Sequence, residues 1–208
     1  MKSENELMWN YTKDGYFNVR FNYVEKHLRR LGSALPKKGK SVDLGCGDGP
    51  GALALALRGL SVVAIDYDTM GKKLEEAQQR AREYGVNTQF TVGKRQKLSY
   101  PENREILYIE GGIETDLELP SSSADLVTFF HIEPPKNDEY RRRIFSEGAR
   151  ILKRNSLFIV TVNREGFIEI IRQLLDGSGM REIIVSETPE IIELYPDSAD
   201  RYLVAAKK

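Results

Sequence analysis

Val42-Asp43-Leu44-Gly45-Cys46-Gly47-Asp48-Gly49-Pro50-Gly51 sets an acidic residue and three alternating glycines between an apolar stretch and Ala52-Leu53-Ala54-Leu55-Ala56-Leu57. The order predicts a strand, a glycine turn and the start of a helix. A ligand reaches the main chain closely only where no side chain intervenes, and glycine also accepts the unusual dihedrals such a turn needs. The helix that follows directs its unpaired amides and the positive end of its dipole at the turn, which favours a carboxylate or phosphate there. The segment therefore suits a nucleotide-like ligand. A dinucleotide fingerprint would place glycines at the first, third and sixth positions of the turn, with an acid about 20 residues further on. Counting from Gly45, the sixth position is Pro50. Proline opens a helix but does not supply the close helix-to-strand packing of a third glycine.

What remains, an acid two residues before the first glycine and then glycine at every second position, resembles the first motif of class I S-adenosyl-L-methionine-dependent methyltransferases. All four defining positions match, at Asp43, Gly45, Gly47 and Gly49. The plain alternative is a tight connection with no ligand. The resemblance implies that Asp43, Gly45, Cys46 and Gly47 line a site for S-adenosyl-L-methionine. Cys46 reads as a small residue that fits a tight turn, against the alternative of a thiol activated by a helix amino terminus.

Asp66 lies 23 residues beyond Asp43 and ends the apolar run Ser61-Val62-Val63-Ala64-Ile65, which has the continuity of a buried parallel strand. An acid at that strand end accepts hydrogen bonds from ribose hydroxyls, a requirement shared by adenosylmethionine and NAD. Capping of the helix expected over Thr69 to Tyr84 is its other reading. In the family the next residue, here Tyr67, often lies against the adenine.

Length and composition frame these motifs. The 208 residues, 40% hydrophobic and 30% charged, fit one α/β domain with a full core. We expect an amino-terminal helical cap over residues 1–37 and a Rossmann-like core over 38–208. The sequence holds 31 basic and 31 acidic residues, so no whole-molecule field steers it to a polyanion. The clusters Lys37-Lys38-Lys40, Lys94-Arg95-Lys97 and Arg141-Arg142-Arg143 read as solvated faces. There is no apolar run of about 18 residues, and the start Met1-Lys2-Ser3-Glu4-Asn5-Glu6 is too polar for a secretory signal. With a single cysteine, these features predict a cytoplasmic protein without a membrane partner, a monomer or homodimer. No metal site is expected.

Along the chain, strand-like and helix-like segments alternate, which predicts a parallel sheet covered by helices. Tyr16 to Leu35 carries a loose helical pattern that ends near Gly32 and Pro36 and predicts an amino-terminal helix, Ser41 to Leu44 the first strand and Pro50 to Arg58 the first helix of the core. Both Thr88 to Val92 and Ile106 to Ile109 read as strands. The second is taken as the third strand of the sheet and the first as an added hairpin or insertion, because Gly111-Gly112-Ile113-Glu114 resembles the family's adenine-contacting Gly-Asp-Ile-Glu-like motif. Gly112, Ile113 and Glu114 are accordingly assigned to the cofactor, with Gly112 in the place of the acid. Leu119 to Val127 resembles the approach to the fourth strand, whose apolar run ends at Phe130, also assigned to the cofactor. Leu157 to Val162 resembles the fifth, and Ile183 to Ser186 and Tyr202 to Ala205 form a terminal pair. The implied architecture is a Rossmann-like seven-stranded sheet, order 3-2-1-4-5-7-6, with strand 7 antiparallel and helices on both faces.

His131 and Glu133 follow the fourth strand, where the methyl group is expected. Methyl transfer from a sulfonium is an in-line displacement, so the protein mainly supplies orientation and local electrostatics. Where the acceptor must lose a proton, His131 is the first candidate base and Glu133 the second; His131 as a satisfied strand terminus is the plain alternative. Glu133-Pro134-Pro135-Lys136 partly resembles the Asn-Pro-Pro-Tyr motif of amino-group methyltransferases, with Lys136 in place of the aromatic residue. The leading reading is thus a methyltransferase for a small molecule. RNA, DNA or protein amino groups are alternative acceptors, and a nicotinamide-dependent reductase or a non-catalytic adenosylmethionine-binding protein are alternatives of other classes.

Overall fold

The computed structural model describes residues 13–66, 73–93, 98–112, 118–130, 138–187 and 201–208. Among these, eight strands form one sheet. They are β1 (Gly39–Leu44), β2 (Leu60–Asp66), β3 (Asn87–Val92), β4 (Glu105–Glu110), β5 (Ala124–Phe129), β6 (Leu152–Val162), β7 (Arg181–Glu187) and β8 (Tyr202–Lys207), in the order β3-β4-β2-β1-β5-β6-β8-β7. β8 runs antiparallel to β6 and β7, and the other neighbours are parallel. With β4 counted as the third strand, this is the expected order plus one strand.

That added strand corrects the expected hairpin. Thr88 to Val92 belongs to β3, which pairs in parallel along β4 from Asn87 opposite Glu105 to Val92 opposite Glu110. Both candidate strands are therefore in the sheet. Parallel pairing needs a crossover rather than a hairpin turn, and the chain from Gly93 to Arg104 provides its length. As an edge strand, β3 leaves Phe90 and Val92 partly exposed.

Among the described residues, five α-helices pack on the sheet. α1 (Lys13–Leu31), α2 (Pro50–Leu57) and α3 (Lys73–Glu83) share one apolar cluster with Val62, Ala64, Leu126 and Ile159. α4 (Asp138–Ile151) and α5 (Gly166–Gly177) cover the opposite face, over Val42, Leu44, Val63, Ile65 and Phe158. β2 is consequently buried on both faces, which explains why its sequence is continuously apolar rather than alternating. The same logic fits α2, whose Ala and Leu residues from Ala52 to Ala56 are all buried and show no polar stripe.

Boundaries shift by a few residues. α1 ends at Leu31, beside the Gly32 at which the pattern breaks, and a short 3-10 turn (Gly32–Ala34) carries the chain onward with Gly32 at φ 50°. β6 begins at Leu152, directly after α4, five residues earlier than expected. Part of the Thr69 to Tyr84 helix lies outside the described residues, and α3 begins at Lys73. Among the described residues no helix is long and apolar enough to cross a membrane.

Candidate functional site

The carboxyl ends of β1, β2, β4 and β5 meet at the glycine turn. Gly45, Gly47 and Gly49 all hold left-handed dihedrals, with φ of 64°, 54° and 88°. Among the described residues, a Cβ on Gly47 would meet only Asp66 Oδ2, at 3.9 Å, so these residues leave the space above its main chain open. Gly51 has the opposite surroundings. A Cβ there would stand 2.4 Å from Phe130 Cδ2 and 2.7 Å from Asp43 Oδ2. The close packing that the dinucleotide fingerprint gives to its third glycine is thus performed here by Gly51, one position after Pro50. Counted from Gly45, this glycine falls at the seventh position and not the sixth.

Asp66 faces the turn as its position predicted, and its Oδ2 accepts the Gly47 amide at 2.5 Å. The Cys46 amide donates to the Ile65 carbonyl at 3.1 Å, holding the turn beside the end of β2. The Gly111 amide donates to the Asp66 carbonyl at 3.0 Å, which brings buried Gly112 alongside. Asp43, Gly45, Cys46, Gly47, Asp66, Gly112 and Phe130 therefore gather at one end of the sheet. Tyr67, Ile113, Glu114, His131 and Glu133 lie outside the described residues.

Asp43 points toward α2 and is 1% exposed. Its Oδ1 accepts from Thr128 Oγ1 at 2.7 Å, while Oδ2 makes no hydrogen bond of normal geometry. Burial pushes its carboxyl up to about 7, reinforced by the nearby Asp66 charge; the Thr128 hydroxyl, the Ala52 amide and Arg20 pull in the other direction. Cys46 is buried, and burial followed by the neighbouring carboxylates pushes its thiol well above the ordinary range. Both effects disfavour the thiolate at Cys46.

Asp48, also in the turn, was not singled out by the sequence. It pairs with Arg20 of α1 at 3.0 Å and with Arg80 of α3 at 3.7 Å. No local signal marks these partners, because they come from separate helices. Together the turn presents open main chain, a helix amino terminus and three carboxylates at Asp43, Asp48 and Asp66. Such a place offers oxygen acceptors to hydroxyl donors such as those of a ribose.

A doubly wound sheet with this turn at its carboxyl edge is the class I fold of adenosylmethionine-dependent methyltransferases. The chain belongs to the methyltransferase domain family, whose model matches residues 42–160. Its sheet resembles that of a SAM-dependent methyltransferase from Archaeoglobus fulgidus (14% identity, 99% of this chain and 100% of that one, TM-score 0.63). It also resembles phosphoethanolamine N-methyltransferase 2 of Haemonchus contortus in complex with S-adenosyl-L-methionine (18% identity, 96% of this chain and 58% of that one, TM-score 0.60). A third likeness is to geranyl diphosphate C-methyltransferase of Streptomyces coelicolor, with S-adenosyl-L-homocysteine (13% identity, 88% and 74% coverage, TM-score 0.60). No curated protein matches the sequence. The cofactor is S-adenosyl-L-methionine, and the residues fit it. Open main chain at Gly47 and the Asp43 Oδ2 that lacks a well-aligned donor are what a ligand with hydroxyl and ammonium donors requires.

Proposed function

We propose that this methyltransferase acts on a small-molecule acceptor, with Asp66 holding the ribose of the methyl donor. The placement of Asp66 carries the reading. Its carboxylate ends β2 and already accepts one amide from the glycine turn, so a diol entering above Gly47 meets an oriented acceptor. Asp43, Gly45, Cys46 and Gly47 form the floor of this site in the proposal, with Tyr67, Gly112, Ile113, Glu114 and Phe130 around the adenosine. The balanced charge of the chain supports a small acceptor over a nucleic acid. So do the phosphoethanolamine and geranyl diphosphate named for two structural neighbours.

Bound S-adenosyl-L-methionine supplies an activated methyl group. The protein's part is to orient the acceptor and, where needed, to take its proton. Phe130 packs on Gly51 at the rim of the turn, directly after the end of β5. In this reading His131 accepts the acceptor's proton, and Glu133 is the second candidate.

Asp66→Ala is expected to weaken S-adenosyl-L-methionine binding by about 1 to 3 kcal/mol, the scale of hydrogen bonds to a charged group, or about fivefold to 150-fold in Kd. Calorimetry reads this, and unchanged affinity refutes the ribose role. Binding of NADH in preference to adenosylmethionine would overturn the cofactor reading. Methyl transfer to extracted metabolites, RNA and protein identifies the acceptor, and labelling confined to RNA or protein would refute the small-molecule reading. With that acceptor, His131→Gln should lower turnover by about 100-fold or more and remove the limb of the pH profile near neutrality. Unchanged turnover and profile exclude His131 as the base.

A further inference from the structure

Asp48 sits between Gly47 and Gly49, where two other elements attach to the turn. Its Oδ1 is 3.0 Å from Arg20 Nη1 of α1, and its Oδ2 is 3.7 Å from Arg80 Nη1 of α3. All three side chains are at most 19% exposed. The Arg80 guanidinium also lies over the ring of buried Phe17 in α1, 4.6 Å from its centroid. α1 is therefore joined to the turn directly and through α3. Five residues further along α1, Glu25 pairs with Arg58 at 3.1 Å, just past the end of α2. α1 thus grips both ends of the helix whose first amides face the site.

These pairs differ from exposed surface pairs, whose worth is small. Asp43, Asp48 and Asp66 crowd one end of the sheet, and their mutual repulsion is offset by cations that α1 and α3 bring in. We propose that Arg20, Asp48 and Arg80 form a clasp that couples docking of α1 to cofactor binding, so that the turn takes its binding shape only with α1 seated. Arg20 and Arg80 are positioning residues that act through Asp48. The coupling rests on the adenosylmethionine reading of the turn. It is reciprocal by linkage: a ligand that favours the clasped turn also protects α1.

The test uses the full chain as wild type, Asp48→Asn, Arg20→Gln, the double variant and Arg20→Lys. Calorimetry gives affinities for S-adenosyl-L-methionine and S-adenosyl-L-homocysteine, and amide exchange reports α1 over residues 17–30. Only the methionine form carries the sulfonium charge. Loss of Arg20 acting by charge alone would tighten that ligand relative to the other, whereas lost positioning weakens both by the same factor, about fivefold or more. The double variant should be no weaker than the worse single one, and Arg20→Lys should recover part of the loss. Cofactor should slow α1 exchange in wild type and not in Asp48→Asn. Unchanged affinities in Asp48→Asn, tightening toward adenosylmethionine alone, or additive losses would each overturn the proposal. The two readings fail separately. Binding of both ligands by wild type with no faster α1 exchange in Asp48→Asn removes the clasp and keeps the cofactor site. Binding of neither ligand, with faster exchange in Asp48→Asn, removes the cofactor reading and the coupling but keeps the attachment.

Discussion

Asp43→Asn is expected to make the ligand-free protein more stable than wild type at pH 8 while weakening its response to cofactor. Burial raises the native carboxyl to about 7, whereas in the unfolded chain it titrates near 4. Between those values the native state holds a proton that the unfolded state has released. Stability from this group is therefore complete below about pH 4, falls as pH rises to about 7, and is flat above it. The window spans about three pH units at about 1.4 kcal/mol each, so the loss reaches up to about 4 kcal/mol. Asparagine carries no such term, and its Oδ1 still accepts from Thr128, which donates to Asp43 Oδ1 at 2.7 Å. Other titrating groups are common to both proteins and cancel in the comparison. Denaturant unfolding of both between pH 4 and 8 should show the difference move toward the variant by a few kcal/mol, and parallel profiles would refute the assignment. The thermal shift produced by S-adenosyl-L-methionine should shrink in the variant. A buried charge that costs stability and serves binding is a common trade at functional sites.

Gly51→Ala should destabilise the protein although alanine is the better helix former. The residue is inside α2, where alanine gains up to about 1 kcal/mol over glycine. The new methyl would lie 2.4 Å from Phe130 Cδ2 and 2.7 Å from Asp43 Oδ2. Neither neighbour yields easily, since Phe130 is 5% exposed and Asp43 is tied to Thr128. Overpacking of this kind typically costs about 1 to 3 kcal/mol, and each kcal/mol lowers Tm by about 2 to 4 °C in a chain of this size. Cofactor affinity should fall as well, because the displaced groups border the turn. Gly177→Ala, at a helical position whose Cβ would meet nothing within 4 Å among the described residues, is the control and should be neutral or stabilising. Equal Tm values for the two variants would show that the Gly51 contact relaxes without cost.

Much of the site was legible because its signals are local. Alternating glycines after an apolar run need no distant partner to specify a left-handed turn, and the burial of β2 is written in its unbroken apolar residues. β3 was legible as a strand but not in its pairing. Its side chains are all exposed or only partly covered, so composition names no neighbour, and only the register against β4 places it at the sheet edge. Gly51 escaped notice because the fingerprint counts positions, whereas the packing responds to the distance to Phe130 and Asp43. The Asp48 clasp joins residues 28 and 32 positions apart in sequence through two helices that no motif connects.

The sequence by itself determined the turn, the parallel core around it and the class of methyl donor, because dihedral preference and strand burial act over about ten residues. Only the tertiary structure decided the burial that raises the Asp43 carboxyl, the strand at the edge and the attachment of α1 to Asp48. Those depend on desolvation, on Coulomb interaction and on contacts between segments far apart in the chain, which exist only once the sheet has brought them together.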